Sequence, residues 1–192
     1  MPLLIAGLVL FLGVHSVAIV APSLRTRMIH RVGEGAWKGL YALVSLTGFV
    51  LICYGFSLAR RAPMMLYSPP PWLQHVALVV MLPVFPLLLA AYLPGRIKAA
   101  VKHPMLTAVK TWAFAHLLAN GTAADVLLFG GFLAWAVADR ISLKRRSVAT
   151  APPAAPRRPW NDAVAVVLGL AIYAVTIGWL HLRLFGVSPL AF

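Results

Sequence analysis

Six apolar segments of 16 to 22 residues, separated by short loops, limit most strongly how this chain can fold. An α-helix rises 1.5 Å per residue, so about 20 apolar residues cross the roughly 30 Å of hydrocarbon in a bilayer. The segments span residues 3–21, 37–58, 73–93, 105–120, 123–138 and 163–184. Hydrophobic residues make up 61% of the 192 residues and charged residues 11%, against about 45–50% and about 25% in soluble domains. The pattern predicts an all-α integral membrane bundle of about six transmembrane helices, forming one domain over residues 1–192.

The fourth and fifth segments are short, and only Gly121 and Thr122 lie between them. This spacing predicts a helical hairpin with a tight turn, with a broken helix or a re-entrant pair as the alternative. The run from Thr122 to Asp125 has the form of a capping box, in which a hydroxyl and a carboxylate satisfy backbone donors at a helix start. We therefore expect a structural role for Asp125 and not a catalytic one.

Basic residues in the loops predict the orientation of the bundle. The chain has 17 Lys and Arg against four acidic residues, a net charge of +13. Most of these basic residues lie in the first, third and fifth loops, which marks those loops as cytoplasmic and places both termini on the opposite side. Their distribution fits a topology signal and does not favour nucleic acid as a partner. The three loops carry Arg25, Arg27, Arg31 and Lys38, then Arg96, Lys98 and Lys102, then Arg140, Lys144, Arg145, Arg146, Arg157 and Arg158. Residues 149–159, rich in Ala and Pro, are expected to form a flexible cytoplasmic linker.

Two of the six histidines, His15 and His116, lie deep in the predicted helices, where an ionisable side chain is costly without a partner or a cavity. Counted along the helices, each lies about 18 Å from the end where its own helix starts, and their depths differ by about 6 Å. Two neutral imidazoles on different helices at similar depth can supply both axial ligands of a haem b in a helical bundle. The alternative is that each histidine only bonds a backbone carbonyl or a hydroxyl. A zinc site is disfavoured because no carboxylate or thiol lies at the same depth.

Several motifs along the chain resemble the NnrU family of bacterial membrane proteins, and the resemblance covers nearly the whole length. The matching motifs are Leu12-Gly13-Val14-His15-Ser16, Gly33-Glu34-Gly35-Ala36-Trp37-Lys38-Gly39-Leu40-Tyr41, Lys102-His103-Pro104-Met105, Ala115-His116-Leu117-Leu118-Ala119-Asn120-Gly121 and Asp139-Arg140-Ile141-Ser142-Leu143-Lys144-Arg145. The resemblance implies a multi-pass protein of the bacterial inner membrane, with periplasmic termini and a link to denitrification and nitric oxide metabolism.

The NnrU family is related to the plant 15-cis-zeta-carotene isomerase, a haem b enzyme, and this relationship implies site residues. The proposed haem ligands of the isomerase fall on His15 and His116, the same two residues that their depth singles out. The isomerase also has a cysteine three residues before its second histidine, where this chain has Ala113. A switch between thiolate and histidine ligation at that position is therefore excluded, and isomerase activity does not follow from the resemblance.

These observations support one leading hypothesis and two alternatives. The leading hypothesis is a haem b membrane protein with His15 and His116 as iron ligands, acting in nitric-oxide-linked metabolism or isomerising an apolar polyene. The first alternative is a non-catalytic factor that assists assembly of a respiratory reductase. The second is a membrane methyltransferase, because Lys102-His103-Pro104 resembles the Arg-His-Pro motif of isoprenylcysteine methyltransferase. The tyrosine and glycine expected after that proline are Leu106 and Ala108 here, and a proline at the first helical position is common without any such role.

Overall fold

A computed structural model describes residues 1–146, 158 and 160–190, with Arg146 described by its backbone alone. Within these residues the regular structure is helical, apart from one isolated antiparallel bridge between Met65 and Thr122. The predicted linker at 149–159 lies outside the described residues except for Arg158. The helices are α1 Pro2–Val20, α2 Pro22–Val32, α3 Glu34–Ala59, α4 Trp72–Met81, α5 Val84–Tyr92, α6 Arg96–Val101, α7 Pro104–Ala119, α8 Ala123–Arg146, α9 Trp160–Val175, a π-helical turn Thr176–Leu180, and α10 His181–Phe185.

Five helical stretches are long and apolar enough to cross a membrane. They are Pro2–Val20, Glu34–Ala59, Trp72–Tyr92, Ala123–Arg145 and Trp160–Phe185. The third stretch combines α4 and α5, which are separated at Leu82 and Pro83 because a proline has no N–H to continue the helical ladder. The remaining predicted segment is α7, whose 16 residues give about 24 Å, less than the hydrocarbon thickness. The prediction of an all-α membrane bundle of about six helices is confirmed.

The hairpin predicted for the fourth and fifth segments is also observed. Helix α7 ends at Ala119 and α8 begins at Ala123. Both hydrogen bonds of the capping box are present: the Thr122 backbone N–H donates to Asp125 Oδ2 at 3.0 Å, and the Asp125 N–H donates to Thr122 Oγ1 at 3.2 Å. The Thr122 hydroxyl donates to the same Oδ2 at 2.6 Å. The side chain of Asp125 is buried and is used to start α8, as predicted.

Glycines allow the closest helix contacts. An added Cβ on Gly7 would lie 2.6 Å from the Ile52 backbone nitrogen, and one on Gly55 would lie 2.3 Å from that of Leu4. Helices α1 and α3 therefore pack backbone to backbone, as small residues permit in membranes, where close packing and not the hydrophobic effect drives association. Gly169 of α9 makes the same kind of contact with Pro86 of α5.

The two ends of the bundle can be told apart by their side chains. At one end, called the terminal end, Met1 lines a small cavity with Ala59 and Ala124, and the Arg60 guanidinium donates to the Phe185 carbonyl at 2.8 Å. At the other, called the basic end, Asp162 accepts hydrogen bonds from the backbone N–H groups of Arg96 and Ile97 at 2.8 and 3.0 Å. Met1 and Phe185 thus lie at the same end, and the terminal end stays the predicted periplasmic side.

Candidate functional site: a histidine cleft beside α8

Three aromatic side chains on α8 organise the interior around the two deep histidines. Phe129, Phe132 and Trp135 recur every three residues and therefore lie along one side of the helix. The Phe132 ring contacts Phe11 of α1 at 5.7 Å between centroids and Trp112 of α7 at 5.6 Å. The aromatic side of α8 therefore contacts both helices that carry the predicted site residues.

His15 lies between α1, α3 and α8, partly buried. Its ring stacks on Phe11 at 4.3 Å and lies 5.2 Å from the Tyr41 ring and 6.0 Å from that of Trp135. Its Nδ1 is 2.6 Å from the Phe11 carbonyl oxygen, one turn earlier on the same helix. A carbonyl can only accept, so Nδ1 carries the proton and Nε2 of the neutral ring is left with a free lone pair.

His116 has the same backbone bond but different surroundings. Its Nδ1 is 2.8 Å from the Trp112 carbonyl oxygen, and its ring stacks on Phe129 at 4.5 Å. The Asn120 amide nitrogen donates to the His116 carbonyl at 2.9 Å, which ends α7 beside it. The carbonyl bond fixes the tautomer that exposes Nε2, as in most metal-binding histidines.

The structure places both histidines against α8 but does not bring their rings into contact. His15 touches Trp135 and His116 touches Phe129, and these two α8 residues are six positions, or about 9 Å, apart along the helix. Ring contacts through Phe11, Phe132 and Trp112 connect the two histidines. Two axial ligands of one iron hold their nitrogens about 4 Å apart, twice the roughly 2 Å of a metal–imidazole bond. Ligation by both residues stays a prediction, and it would require these rings to move.

His116 instead shares a cleft with His181. The cleft has a volume of about 180 Å³ and lies between α4, α5, α7, α9 and the residues that follow α10. Its polar lining consists of Gln74, His116, Asn120, Tyr173, Thr176, His181 and Ser188. The rest of the lining is apolar or proline, and none of the lining residues is Asp, Glu, Lys or Arg. The cleft is therefore suited to a ligand that is largely neutral and apolar.

His181 is the site residue that the sequence did not predict, because it seemed only to end the last helix. Its Nδ1 is 2.7 Å from the carbonyl oxygen of Val187, which follows the left-handed Gly186 at φ 69°. This bond again leaves Nε2 free, and it holds the chain after α10 in a return that places Val187 and Ser188 in the cleft wall. No residue pattern in the sequence announces this pairing, since the return depends on a single glycine.

A loop from the terminal end is bound to the hairpin turn beside the cleft. The Tyr67 hydroxyl donates to the carbonyls of Leu117 and Asn120, the latter at 2.6 Å, and the Leu66 N–H donates to the Gly121 carbonyl at 2.9 Å. Burial, and to a lesser degree the charge of Asp125, raise the pKa of Tyr67 above its ordinary value, so the phenol keeps the proton that it donates. The α7–α8 turn next to His116 is thus fixed from outside.

Comparison with known proteins bears on the whole chain. The family model of the NnrU protein matches residues 3–189. The chain belongs to the NnrU family. The membership predicted from the motifs is confirmed, while the relationship to the carotene isomerase stays a prediction. No curated protein matches the chain, and no solved structure matches it.

The donor set of this NnrU-family protein fits haem better than a bare metal ion. Among the described residues no group of three His, Cys, Asp or Glu side chains could hold a metal ion. A divalent ion in the cleft would lack a compensating carboxylate, whereas ferrous iron in a porphyrin is already neutralised by the macrocycle. The cleft volume of about 180 Å³ exceeds the roughly 150 Å³ of a cavity that admits benzene. A whole macrocycle is larger than this, so haem would occupy the cleft only in part unless the surrounding helices separate.

A second unusual feature lies at the basic end, in the Lys102-His103-Pro104 motif. Lys102 has φ 64° and ψ −45°, and the His103 N–H donates to the Val101 carbonyl at 2.7 Å. These values describe a γ-turn of the rare, strained kind, and Lys102 is the one non-glycine residue with positive φ among the described residues. The strain directs the chain into α7, where Pro104 occupies the first helical position as expected.

Proposed function

We propose that this NnrU-family protein binds haem b in the membrane and that His116 supplies an axial ligand. The observation that carries the proposal is the state of the His116 imidazole, with Nδ1 bonded to a backbone carbonyl and the ring lining a largely apolar cleft. A neutral imidazole with a free Nε2 is the form that binds iron. The link to nitric oxide or denitrification metabolism is part of the same proposal and comes from the family resemblance.

Bound haem iron would supply one-electron exchange and an affinity for small diatomic ligands such as nitric oxide. The chain contributes position and environment. Phe129 supports one face of the His116 ring, and the bond to Trp112 sets its tautomer. Burial of this ring among apolar side chains keeps water from Nε2. Isomerisation of a polyene would additionally require an axial position that opens.

His15 stays in the proposal as the second ligand expected from the sequence. Its imidazole is in the same protonation state as that of His116, with Nδ1 bonded to the Phe11 carbonyl. To reach the same iron as His116, however, His15 would have to displace the Phe11 and Trp112 rings that connect the two sites. A single His15 variant therefore measures how far the chain rearranges when haem binds.

Purified protein tests this function directly. We expect the wild-type protein, expressed with a haem precursor in the medium, to be pigmented and to give a pyridine haemochrome spectrum of the b type. The double variant H15A/H116A should lose most of the haem, whereas H30A, which removes an exposed histidine of α2, should retain it. Haem that persists in the double variant would refute the ligand assignment. A colourless wild-type protein, combined with loss of a respiratory reductase activity on gene deletion, would favour the assembly-factor alternative.

The strained turn at Lys102 favours a second candidate, the methyltransferase. Strained backbone residues cluster at ligand-binding and active sites, and this one lies within the motif that resembles a methyltransferase motif. His103 lies near Arg140, and burial together with that charge lowers the pKa of His103. Calorimetry with S-adenosylmethionine tests this candidate. Saturable binding that is weakened by H103A and unchanged in H30A would support a methyltransferase, and heats equal to those of buffer would remove it.

A further inference from the structure

We propose that His181 is the second imidazole of the site at His116, and that it binds the opposite side of the same iron in place of His15. The inference rests on the proposed haem function and goes beyond it, because neither the motifs nor the depth of the histidines pointed to His181. Its basis is one juxtaposition: His116 and His181 line the same cleft, whereas His15 does not.

The chemistry of the two cleft histidines is matched. The His116 Nδ1 is bonded to the Trp112 carbonyl and the His181 Nδ1 to the Val187 carbonyl, at 2.8 and 2.7 Å. Both rings therefore present an unprotonated Nε2, the state required of an iron ligand. The two residues belong to separate helices, α7 and α10, so a ligand could enter between them without either helix unwinding.

The π-helical turn before α10 explains how His181 comes to face the cleft. Tyr173 also lines the cleft and lies eight residues earlier. Eight residues of regular α-helix turn about 800°, which would rotate His181 about 80° away from the side of Tyr173. The π-helical turn at Thr176–Leu180 is wider and turns less per residue, which brings His181 back towards that side. Single π-helical turns of this kind are frequent at functional sites.

The surroundings of His181 also favour a buried, largely neutral ligand. Leu78, Met81 and Phe85 supply an apolar wall from α4 and α5, and Ile177 supplies one from the last helix. The nearest described cation at this end, Arg60, is bonded to the Phe185 carbonyl and does not line the cleft. A neutral iron macrocycle is compatible with these surroundings, whereas a free divalent cation is not.

His15 lacks the corresponding arrangement. Phe11, Tyr41 and Trp135 all lie within 6.0 Å of its ring, between centroids. These contacts explain the position of His15 as part of an aromatic cluster between α1, α3 and α8. The structure thus gives His15 a packing role and leaves the cleft to His116 and His181.

Visible and electron paramagnetic resonance spectra of the haem-loaded protein test the inference through the spin state of the iron. With two imidazole ligands, the wild-type protein should be six-coordinate and low-spin. We expect H181A to become predominantly high-spin and H15A to stay low-spin, with H30A as the unchanged control. Added imidazole should restore the low-spin spectrum of H181G, because a free imidazole can take the vacated position. The H181Q variant, which keeps a polar side chain of similar length, should also be high-spin while retaining wild-type helicity.

The outcomes separate the two proposals. A low-spin H181A protein beside a high-spin H15A protein would overturn the inference and assign His15 as the second ligand, leaving haem binding intact. A wild-type protein that is already five-coordinate would overturn the inference as well. A wild-type protein that takes up no haem would refute the proposed function and, with it, the role of His181. Failure of imidazole to rescue H181G would show that His181 acts through structure and not as a ligand.

Discussion

Replacement of Gly55 by alanine tests the backbone contact between α1 and α3, on which the whole N-terminal half depends. The added Cβ would lie 2.3 Å from the Leu4 backbone nitrogen and 2.8 Å from the Leu3 carbonyl carbon. Both neighbours are main-chain atoms, so no side chain can rotate away to make room. Ordinary contact begins near 3.4 Å, and the helices would therefore have to separate locally by about 1.1 Å.

The size of the effect follows from two opposing contributions. Overpacking of a tight interior costs about 1–3 kcal/mol of folding free energy. Alanine in place of glycine within a helix contributes about 1 kcal/mol in the other direction. G39A, on the same helix, is the matched control because a Cβ at Gly39 meets no atom within 4 Å. The helix propensity contribution cancels between the two variants, so G55A should be about 1–3 kcal/mol less stable than G39A.

Reversible unfolding in mixed micelles measures this difference. The fraction of folded protein is followed by circular dichroism as the mole fraction of a denaturing detergent rises. We expect the G55A transition to move to lower denaturant and that of G39A to stay near the wild type or above it. Equal midpoints for G55A and G39A would contradict the packing described for α1 and α3.

Three further predictions concern the hairpin beside the cleft. Y67F should lower the free energy of unfolding by about 0.5–1.5 kcal/mol, because the carbonyls of Leu117 and Asn120 lose their hydroxyl donor, and the same detergent titration measures it. The pKa of Tyr67 is raised in the folded state, so its contribution should be complete below about pH 10 and be lost as pH rises through the folded value; Y67F should flatten that loss. D125A should cost about 0.5–2 kcal/mol by removing the cap of α8, and D125N, which keeps an acceptor for the Thr122 N–H, should cost less; equal losses would argue against the capping role.

The fold could be predicted from the sequence largely because a bilayer allows few solutions. Apolar length alone identified the spanning helices, and the chemistry of Thr122 and Asp125 identified the start of α8. The helix α2 was not predicted, because its basic residues were read only as a loop signal. Pro22 starts it directly after α1, at the first helical position where a missing N–H costs nothing.

The candidate site could be predicted only in part. Depth counting selected His116 correctly as an interior residue, but it placed His15 and His116 about 6 Å apart in depth, where the contacts with α8 indicate about 9 Å. The count assumed that every helix starts at the same level. Helix α7 starts after α6 and the strained turn at Lys102, near Arg140 of α8, and therefore some way inside the basic end.

His181 could not have been selected by counting. Its direction depends on the π-helical turn at Thr176–Leu180, and regular helical periodicity would have rotated it away from the cleft. The cleft itself is assembled from segments more than 100 residues apart, from Gln74 to Ser188. Such a site is a property of the packed bundle and not of any local motif.

A haem titration of the purified apoprotein tests the central claim most directly. Haemin is added in steps to the wild-type protein and to H116A in the same detergent, and the absorbance of bound haem is followed. The wild-type titration should break sharply at one haem per chain, whereas H116A should give only the gradual rise of haem that partitions into micelles. A wild-type titration without a break, or an identical break in H116A, would contradict the assignment of this bundle as a haem scaffold built around His116.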